Sequence, residues 1–179
     1  MTDLRAFLTA ALGFPPTDMA LYEQALTHGS ASRTTYERLE FLGDRVLGLV
    51  VAEWLYERFP DEPEGQMSRR YNALVARETC ADVGRERGVP AQIRLGRQAR
   101  EDHATESDNV IGDVVESLIG ALYFDGGYAA ARDFIRSAWA PWLDSQKGAP
   151  VHPKSALQEL AAARKGRRSL MAGSLSRSG

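Results

Sequence analysis

Residues 36–59, YERLEFLGDRVLGLVVAEWLYERF, decide the fold class, because they form a long helical pattern that no proline interrupts. Leu39, Leu42, Val46 and the apolar residues that continue this spacing recur every three or four positions, which is the period of an α-helix. Pro60 and the acidic, Pro/Gly-rich segment after it end the pattern. The helix is apolar nearly all round, so it is predicted to be buried or to face a partner.

Further helical patterns lie on both sides of this stretch, and we find no convincing hairpin and no internal repeat. An irregular segment, AQIRLGRQARED, separates two groups of them. The predicted helices span residues 3–12, 18–27, 34–59, 68–87, 107–123 and 128–143. Together they predict an all-α helical bundle. Gly43 and Gly48 interrupt the central helix at a cost of about 1 kcal/mol each, which is more typical of close helix packing than of chemistry.

Composition restricts the class of protein. The chain has 179 residues, 44% of them apolar and 26% charged, as in an ordinary folded domain. Its single cysteine, Cys80, excludes a disulfide framework and a cysteine-rich zinc site. No apolar run approaches the roughly 20 residues that cross a bilayer, and the start of the chain lacks a signal-peptide pattern. We therefore expect a cytoplasmic protein with no membrane partner.

Charge is divided unevenly along the chain. Residues 151–179 hold six basic residues and one acidic residue, whereas the rest of the chain has an acidic surplus. A generic nucleic-acid-binding protein has a basic surplus throughout. An acidic domain can still bind a polyanion such as nucleic acid if its carboxylates hold metal cations.

Two apolar helices carry acidic residues on one stripe each. Glu37, Glu40 and Asp44 are spaced i, i+3 and i+7 on the central helix. Asp113 and Glu116 share a face of the segment NVIGDVVESLIGALYF, which is otherwise almost wholly apolar. Burying like charges without a partner costs several kcal/mol. If the two stripes face each other, the carboxylates converge on one pocket that only a cation stabilises.

The ligand chemistry narrows the choice of cation. Carboxylate oxygens favour hard ions such as Mg²⁺ or Mn²⁺. A di-iron centre in a bundle uses Glu-x-x-His pairs, and none of the three histidines follows a glutamate at that spacing. A hard-metal site suits phosphodiester hydrolysis, because the metal activates a water molecule and stabilises charge on the phosphate. The alternative is a solvated face on which Arg38 and Arg45 pair with the acids.

The segment YERLEFLGDRVLGL resembles the signature of the ribonuclease III family, NERLEFLGDR, over the nine consecutive residues 37–45. Further segments resemble family landmarks in the same order: ALTHGS (25–30), EGQMSRRYNALV (64–75) and IGDVVESLIGALYFDGG (111–127). The resemblance covers residues 4–145. It implies an all-helical endonuclease domain over residues 1–146 that forms a two-fold homodimer.

The resemblance also implies an activity. Family members cut double-stranded RNA with Mg²⁺, for which Mn²⁺ can substitute, and no organic cofactor is expected. The implied products carry 5′-phosphate and 3′-hydroxyl ends with two-nucleotide 3′ overhangs. The implied role is the processing of rRNA and mRNA precursors.

The resemblance assigns roles to individual residues. Four carboxylates match the family's metal ligands: Glu40, Asp44, Asp113 and Glu116. Of these, Asp44 and Glu116 are expected to be the catalytic pair. Glu37 and Glu64 match acids that line the RNA cleft. Phe41 matches an aromatic residue that contacts the partner subunit.

The sequence departs from the family pattern in two places. Tyr36 replaces the usual asparagine before the signature, and we expect it to touch no metal ligand. The segment HPKSALQELAAARKG resembles the first helix of a double-stranded-RNA-binding domain, in which Gln158 matches a residue that contacts the minor groove. The rest of that domain's pattern is missing. Residues 147–153 are therefore interpreted as a linker, and 154–179 as a largely disordered remnant.

Two other functions stay open at this point. The first is a dimeric module that binds double-stranded RNA without efficient cleavage, because its binding domain is truncated. The second is an acidic helical interaction protein with no role in nucleic-acid chemistry.

Overall fold

The computed structural model describes residues 3–146, and within them the chain is helical. Its α-helices are α1 (Leu4–Leu12), α2 (Met19–Ala25), α3 (Glu37–Arg58), α4 (Glu64–Leu74), α5 (Arg77–Glu86), α6 (Arg97–Glu101) and α7 (Asp108–Ser145). Single 3-10 turns occur at Val89–Gln92 and Ala104–Glu106. The described part contains one isolated β-bridge, between Thr27 and Arg94, and no strand. The all-α prediction is confirmed. The predicted linker and C-terminal remnant, including Gln158, lie outside the described residues.

The single helix predicted over residues 68–87 is wrong. The structure has α4 and α5 there, and α4 begins at Glu64. The two helices are separated because Ala76 is extended, with φ −62° and ψ 144°. The hydroxyl of Thr79 donates a hydrogen bond to the Ala73 carbonyl oxygen at 2.8 Å, which stabilises the bend. No glycine or proline marks this break, so the hydrophobic period runs through it unchanged.

Helix α7 carries the bend that the sequence predicted between residues 123 and 128. Gly127 has φ 74° and ψ −176°, a conformation that residues with a Cβ rarely adopt. The two halves of α7 therefore point in different directions. Most of residues 111–122 in the first half are buried, and the helix packs against α3 and α5. In the second half, Ile135 and Trp139 are fully buried.

The α3–α7 crossing forms the centre of the domain. A Cβ atom at Gly43 would lie 1.7 Å from the carbonyl oxygen of Glu116, and one at Gly120 would lie 2.3 Å from that of Leu39. Neither position has room for a side chain, so the two backbones are in direct contact. The packing role predicted for Gly43 is confirmed. None of the helices within residues 3–146 is both long and apolar enough to cross a membrane.

Candidate metal centre

Three acidic side chains meet where α3 crosses α7. Glu40 of α3 and Asp113 and Glu116 of α7 each offer one carboxylate oxygen, and these oxygens all lie within 4.8 Å of one another. All three side chains are half-buried. The close backbone contact at Gly43 sets this arrangement, because it holds the acid-bearing turns of both helices side by side. We call Glu40, Asp113 and Glu116 the carboxylate group.

The carboxylate group concentrates like charge, which the charge of Arg77 offsets only in part. Burial raises the pKa of Glu116 to about 7, and the charges of Glu40 and Asp113 push it in the same direction. Burial also raises the pKa values of Glu40 and Asp113. A divalent cation with oxygen ligands would remove this penalty, so the residues present fit a hard metal ion.

Asp44 lies apart from the carboxylate group. It follows Glu40 by one helical turn, but its side chain is 44% exposed and forms an ion pair with Arg45. The pairing of an arginine with this stripe, considered above as an alternative, therefore applies to Asp44. A metal-binding role for Asp44 stays a prediction.

The two acids predicted to line the RNA cleft are both exposed and lie outside the carboxylate group. Glu37 begins α3, and its Oε1 atom lies 3.6 Å from where a Cβ of Gly29 would be. Glu64 begins α4 and accepts a hydrogen bond from the Ser68 hydroxyl at 2.6 Å. Their positions leave both side chains accessible to a ligand, and their roles stay predictions.

Two neighbours of the carboxylate group were not anticipated. The expectation that Tyr36 touches no ligand is wrong, because its hydroxyl donates to Oδ2 of Asp113 at 3.4 Å. Tyr36 is only 6% exposed, and its ring lies against that of His28 at 5.8 Å between centroids. The thiol of Cys80 lies 3.9 Å from Oε1 of Glu116, and burial raises the thiol pKa. Cys80 is buried in the core, as expected.

An exposed apolar surface lies on the other side of α3. Phe41 is 66% exposed and Phe124 64% exposed, and both line a groove of about 630 Å³ between α2, α3 and α7. The Arg45 guanidinium lies 4.9 Å from the centre of the Phe41 ring. Leu49, two turns further along α3, is 58% exposed. A partner contact through Phe41 stays a prediction, and this surface offers the apolar area for one.

Comparisons with known proteins agree on one family. The model of the Ribonuclease-III-like family matches residues 18–142. Ribonuclease 3 of Zymomonas mobilis is 56% identical over 152 residues, covering 85% of this chain and 62% of the relative. Ribonuclease 3 of Methylocella silvestris is 47% identical over 165 residues, covering 90% of this chain and 69% of the relative. The chain therefore spans about two thirds of the length of these curated relatives.

Solved structures show the same fold. The nuclease domain of ribonuclease III from Campylobacter jejuni matches with a TM-score of 0.74 at 30% identity, covering 79% of this chain and 96% of that domain. A second structure of that domain, concerned with structural flexibility in the region involved in dimer formation, matches with a TM-score of 0.70 at 31% identity. It covers 81% of this chain and 98% of the domain.

Proposed function

The chain belongs to the ribonuclease III family, and we propose that it is an endoribonuclease that hydrolyses double-stranded RNA with Mg²⁺. The observation that carries the proposal is the carboxylate group. Three half-buried acids share one small volume, and within residues 3–146 none of them forms an ion pair with a basic side chain. Such a group is costly in an apolar crossing and becomes favourable when a divalent ion binds.

The ligands in the proposal are the carboxylate group and Asp44. Their oxygens suit Mg²⁺, and Mn²⁺ is an alternative ion of the same class. When bound, the ion supplies an activated water molecule and stabilises charge on the phosphate. Asp44 lies one turn from Glu40 on α3 and pairs with Arg45. To bind the ion, Asp44 would have to give up its ion pair with Arg45. No protein nucleophile is needed, since the attacking group is water.

Residues around the carboxylate group hold it in place. The Tyr36 hydroxyl donates to Oδ2 of Asp113, which restricts the orientation of that carboxylate. Cys80 and the apolar side chains around it shield Glu116 from water on the core side. Glu37 and Glu64 lie at the exposed starts of α3 and α4, where the proposal has them line the RNA cleft.

The proposal includes a two-fold homodimer. Phe41, Leu49 and Phe124 form an exposed apolar surface of a kind that monomeric proteins seldom leave open. A dimer joined through this surface contains the carboxylate group of three acids twice, once for each RNA strand. Staggered cuts with two-nucleotide 3′ overhangs and 5′-phosphate ends follow from the family resemblance. Processing of rRNA and mRNA precursors and a cytoplasmic location stay predictions.

A cleavage assay tests the proposal. A labelled perfect RNA duplex is incubated with the 179-residue chain in Mg²⁺, in EDTA, and in EDTA followed by excess Mg²⁺. We expect cutting only where Mg²⁺ is free, and none of a single-stranded control. Binding without cutting would support the RNA-binding module instead. No interaction with the duplex would support the helical interaction protein.

A further inference from the structure

We propose that Arg77 binds a phosphate of the RNA strand at the edge of the carboxylate group, an inference that rests on the proposed function. Arg77 is the first residue of α5, and its side chain is exposed. Neither its type nor its spacing drew attention in the sequence. Three observations carry the inference: how the side chain is held, what it is paired with, and which charges surround it.

The Arg77 side chain is fixed against α7 at both ends. A Cβ at Gly112 would lie 3.4 Å from Cγ and from the carbonyl oxygen of Arg77, so the stem packs on bare backbone. At the other end, Nη1 donates to Oδ1 of Asn109 at 2.8 Å. Asn109 precedes Asp113 by four residues, which places both on one face of α7. The guanidinium is therefore held beside the acidic stripe.

The partner of Arg77 is a neutral amide. Within residues 3–146, Arg77 forms no ion pair with a carboxylate. Arg70 shows what a neutralising arginine does in this domain, since it is buried and donates to both oxygens of Glu62 at 2.7 and 2.8 Å. A guanidinium has five N–H donors. Arg77 commits one nitrogen to Asn109 and keeps the remaining donors for another acceptor.

The surrounding charge defines that acceptor. Asn109 and Gly112 hold the Arg77 guanidinium beside the acidic stripe of α7, which carries Asp113 and Glu116. When a divalent cation occupies the carboxylate group, Arg77 becomes the second cation in one small region. Two such cations repel unless an anion lies near both. The anion that the proposed substrate brings is a phosphodiester, which guanidinium binds with directed hydrogen bonds.

The test measures RNA binding without cutting. Duplex affinity is measured as a function of salt in the Glu116→Gln background, with and without Arg77→Gln. Loss of one phosphate contact is expected to weaken binding about tenfold and to reduce the slope of log K against log[salt] by about one. Arg77→Lys retains the charge and is expected to retain the slope while losing part of the affinity. Asn109→Ala is expected to do the same.

Arg132→Gln is the matched control. Arg132 lies on α7 beyond the bend at Gly127, and it pairs with the adjacent Asp133. The same change of charge there is expected to leave the salt slope within error. Arg77→Met keeps the stem on Gly112 and replaces the glutamine variant if that variant melts early.

The outcomes separate this inference from the proposed function. Equal affinity and slope for Arg77→Gln and its parent would overturn the phosphate contact while leaving cleavage by the wild-type chain untouched. Tighter Mg²⁺ binding by Arg77→Gln with unchanged RNA affinity would also overturn the phosphate contact, since Arg77 would then act only on the charge of the acids. A wild-type chain that binds duplex but never cuts it contradicts the proposed function alone.

Discussion

Two carboxylates nine residues apart on α7, Glu116 and Asp125, have surroundings that shift their pKa values in opposite directions. Asp125 accepts hydrogen bonds from the Thr17 hydroxyl, from the backbone amides of Thr17 at 2.8 Å and Asp18 at 3.2 Å, and from the Tyr22 hydroxyl at 3.0 Å. Burial by itself would raise its pKa, but these bonds outweigh burial and hold the pKa below its ordinary value. Within residues 3–146, the Glu116 carboxylate receives only a weak contact from the Cys80 thiol, and burial raises its pKa to about 7.

The difference separates a structural acid from a site acid. Asp125 is stabilised as a carboxylate by donors of its own chain, and it ties the α1–α2 loop to α7. Glu116 sits among like charges, and in the proposed function a bound ion completes its surroundings. In the sequence, Glu116 shares a stripe with Asp113 and Asp125 lies in the predicted break between residues 123 and 128, but neither position reveals the donors around it. What distinguishes them is the set of donors within reach.

The largest effect is expected on cleavage. Glu116→Gln keeps the shape of the side chain but removes a charge that holds the ion, so cleavage should slow about a thousand-fold or more. Asp125→Asn should cut duplex RNA at nearly the wild-type rate, because Asp125 does not face the ion. Single-turnover rates for both variants in saturating Mg²⁺ check this. Similar losses in the two variants would break the comparison.

The second prediction concerns pH and metal. Glu116 titrates near 7 when folded but near its ordinary, lower value when unfolded. Between these values the folded state holds more protons, so metal-free stability should fall as pH rises from 5 to 7.5. Mg²⁺ at a hundred times its Kd should restore about 2.7 kcal/mol at pH 7.5. Thermal melts with EDTA or Mg²⁺ at both pH values measure this.

Glu116→Gln is the control for those melts. It lacks the titrating group, so its metal-free stability should vary less over the same range, and Mg²⁺ should raise its Tm less. The lowered pKa of Asp125 has the opposite sign, and its contribution is lost only as pH falls below the ordinary range of an aspartate. A wild-type chain whose metal-free stability rises between pH 5 and 7.5 would contradict the assignment.

The third prediction concerns the structural acid. Asp125→Ala removes a carboxylate that accepts bonds from two backbone amides and a tyrosine hydroxyl, so unfolding should become about 2 kcal/mol easier. The metal-dependent change in Tm should persist, because the carboxylate group is intact. Urea unfolding gives the free energy. Asp133→Ala, an exposed acid paired only with Arg132, should change it by less than about 0.5 kcal/mol.

The smallest effect is expected at Tyr36. Tyr36→Phe keeps the ring against His28 but removes the hydroxyl that donates to Asp113. At 3.4 Å this hydrogen bond is long, so its loss should raise the Mg²⁺ concentration for half-maximal cleavage by a factor of about three to ten. A Mg²⁺ titration of the cleavage rate measures the shift. An unchanged titration would show that Asp113 needs no help from the hydroxyl.

The sequence predicted most of the helices and all three acids of the carboxylate group for physical reasons. Apolar spacing indicates which face of a helix is buried. Acids on the buried faces of two helices that pack together are therefore expected to lie close to one another. Glu40, Asp113 and Glu116 were predicted to converge in this way, and they do. The bend of α7 was equally predictable from the sequence, because glycines mark a turn there and Gly127 adopts the positive φ that the turn requires.

The contacts that the sequence did not reveal are those between elements. The separation of α4 from α5 depends on the extended Ala76, which no turn residue marks. Asp44 lies on the predicted stripe, but the neighbouring Arg45 pairs with it. The hydroxyl of Tyr36, just before α3, and the guanidinium of Arg77, at the start of α5, reach α7 from other elements, and the spacing within one helix carries no information about such neighbours.

The glycines at the α3–α7 crossing set the spacing of the carboxylate group. Because main chain touches main chain at Gly43 and Gly120, no side chain between the helices can repack and let them drift. Substitutions among the surrounding aliphatic residues therefore change the stability of the domain but leave the distances among the three carboxylates unchanged. A methyl group added at either glycine would instead act as a wedge that moves the acids of one helix away from those of the other.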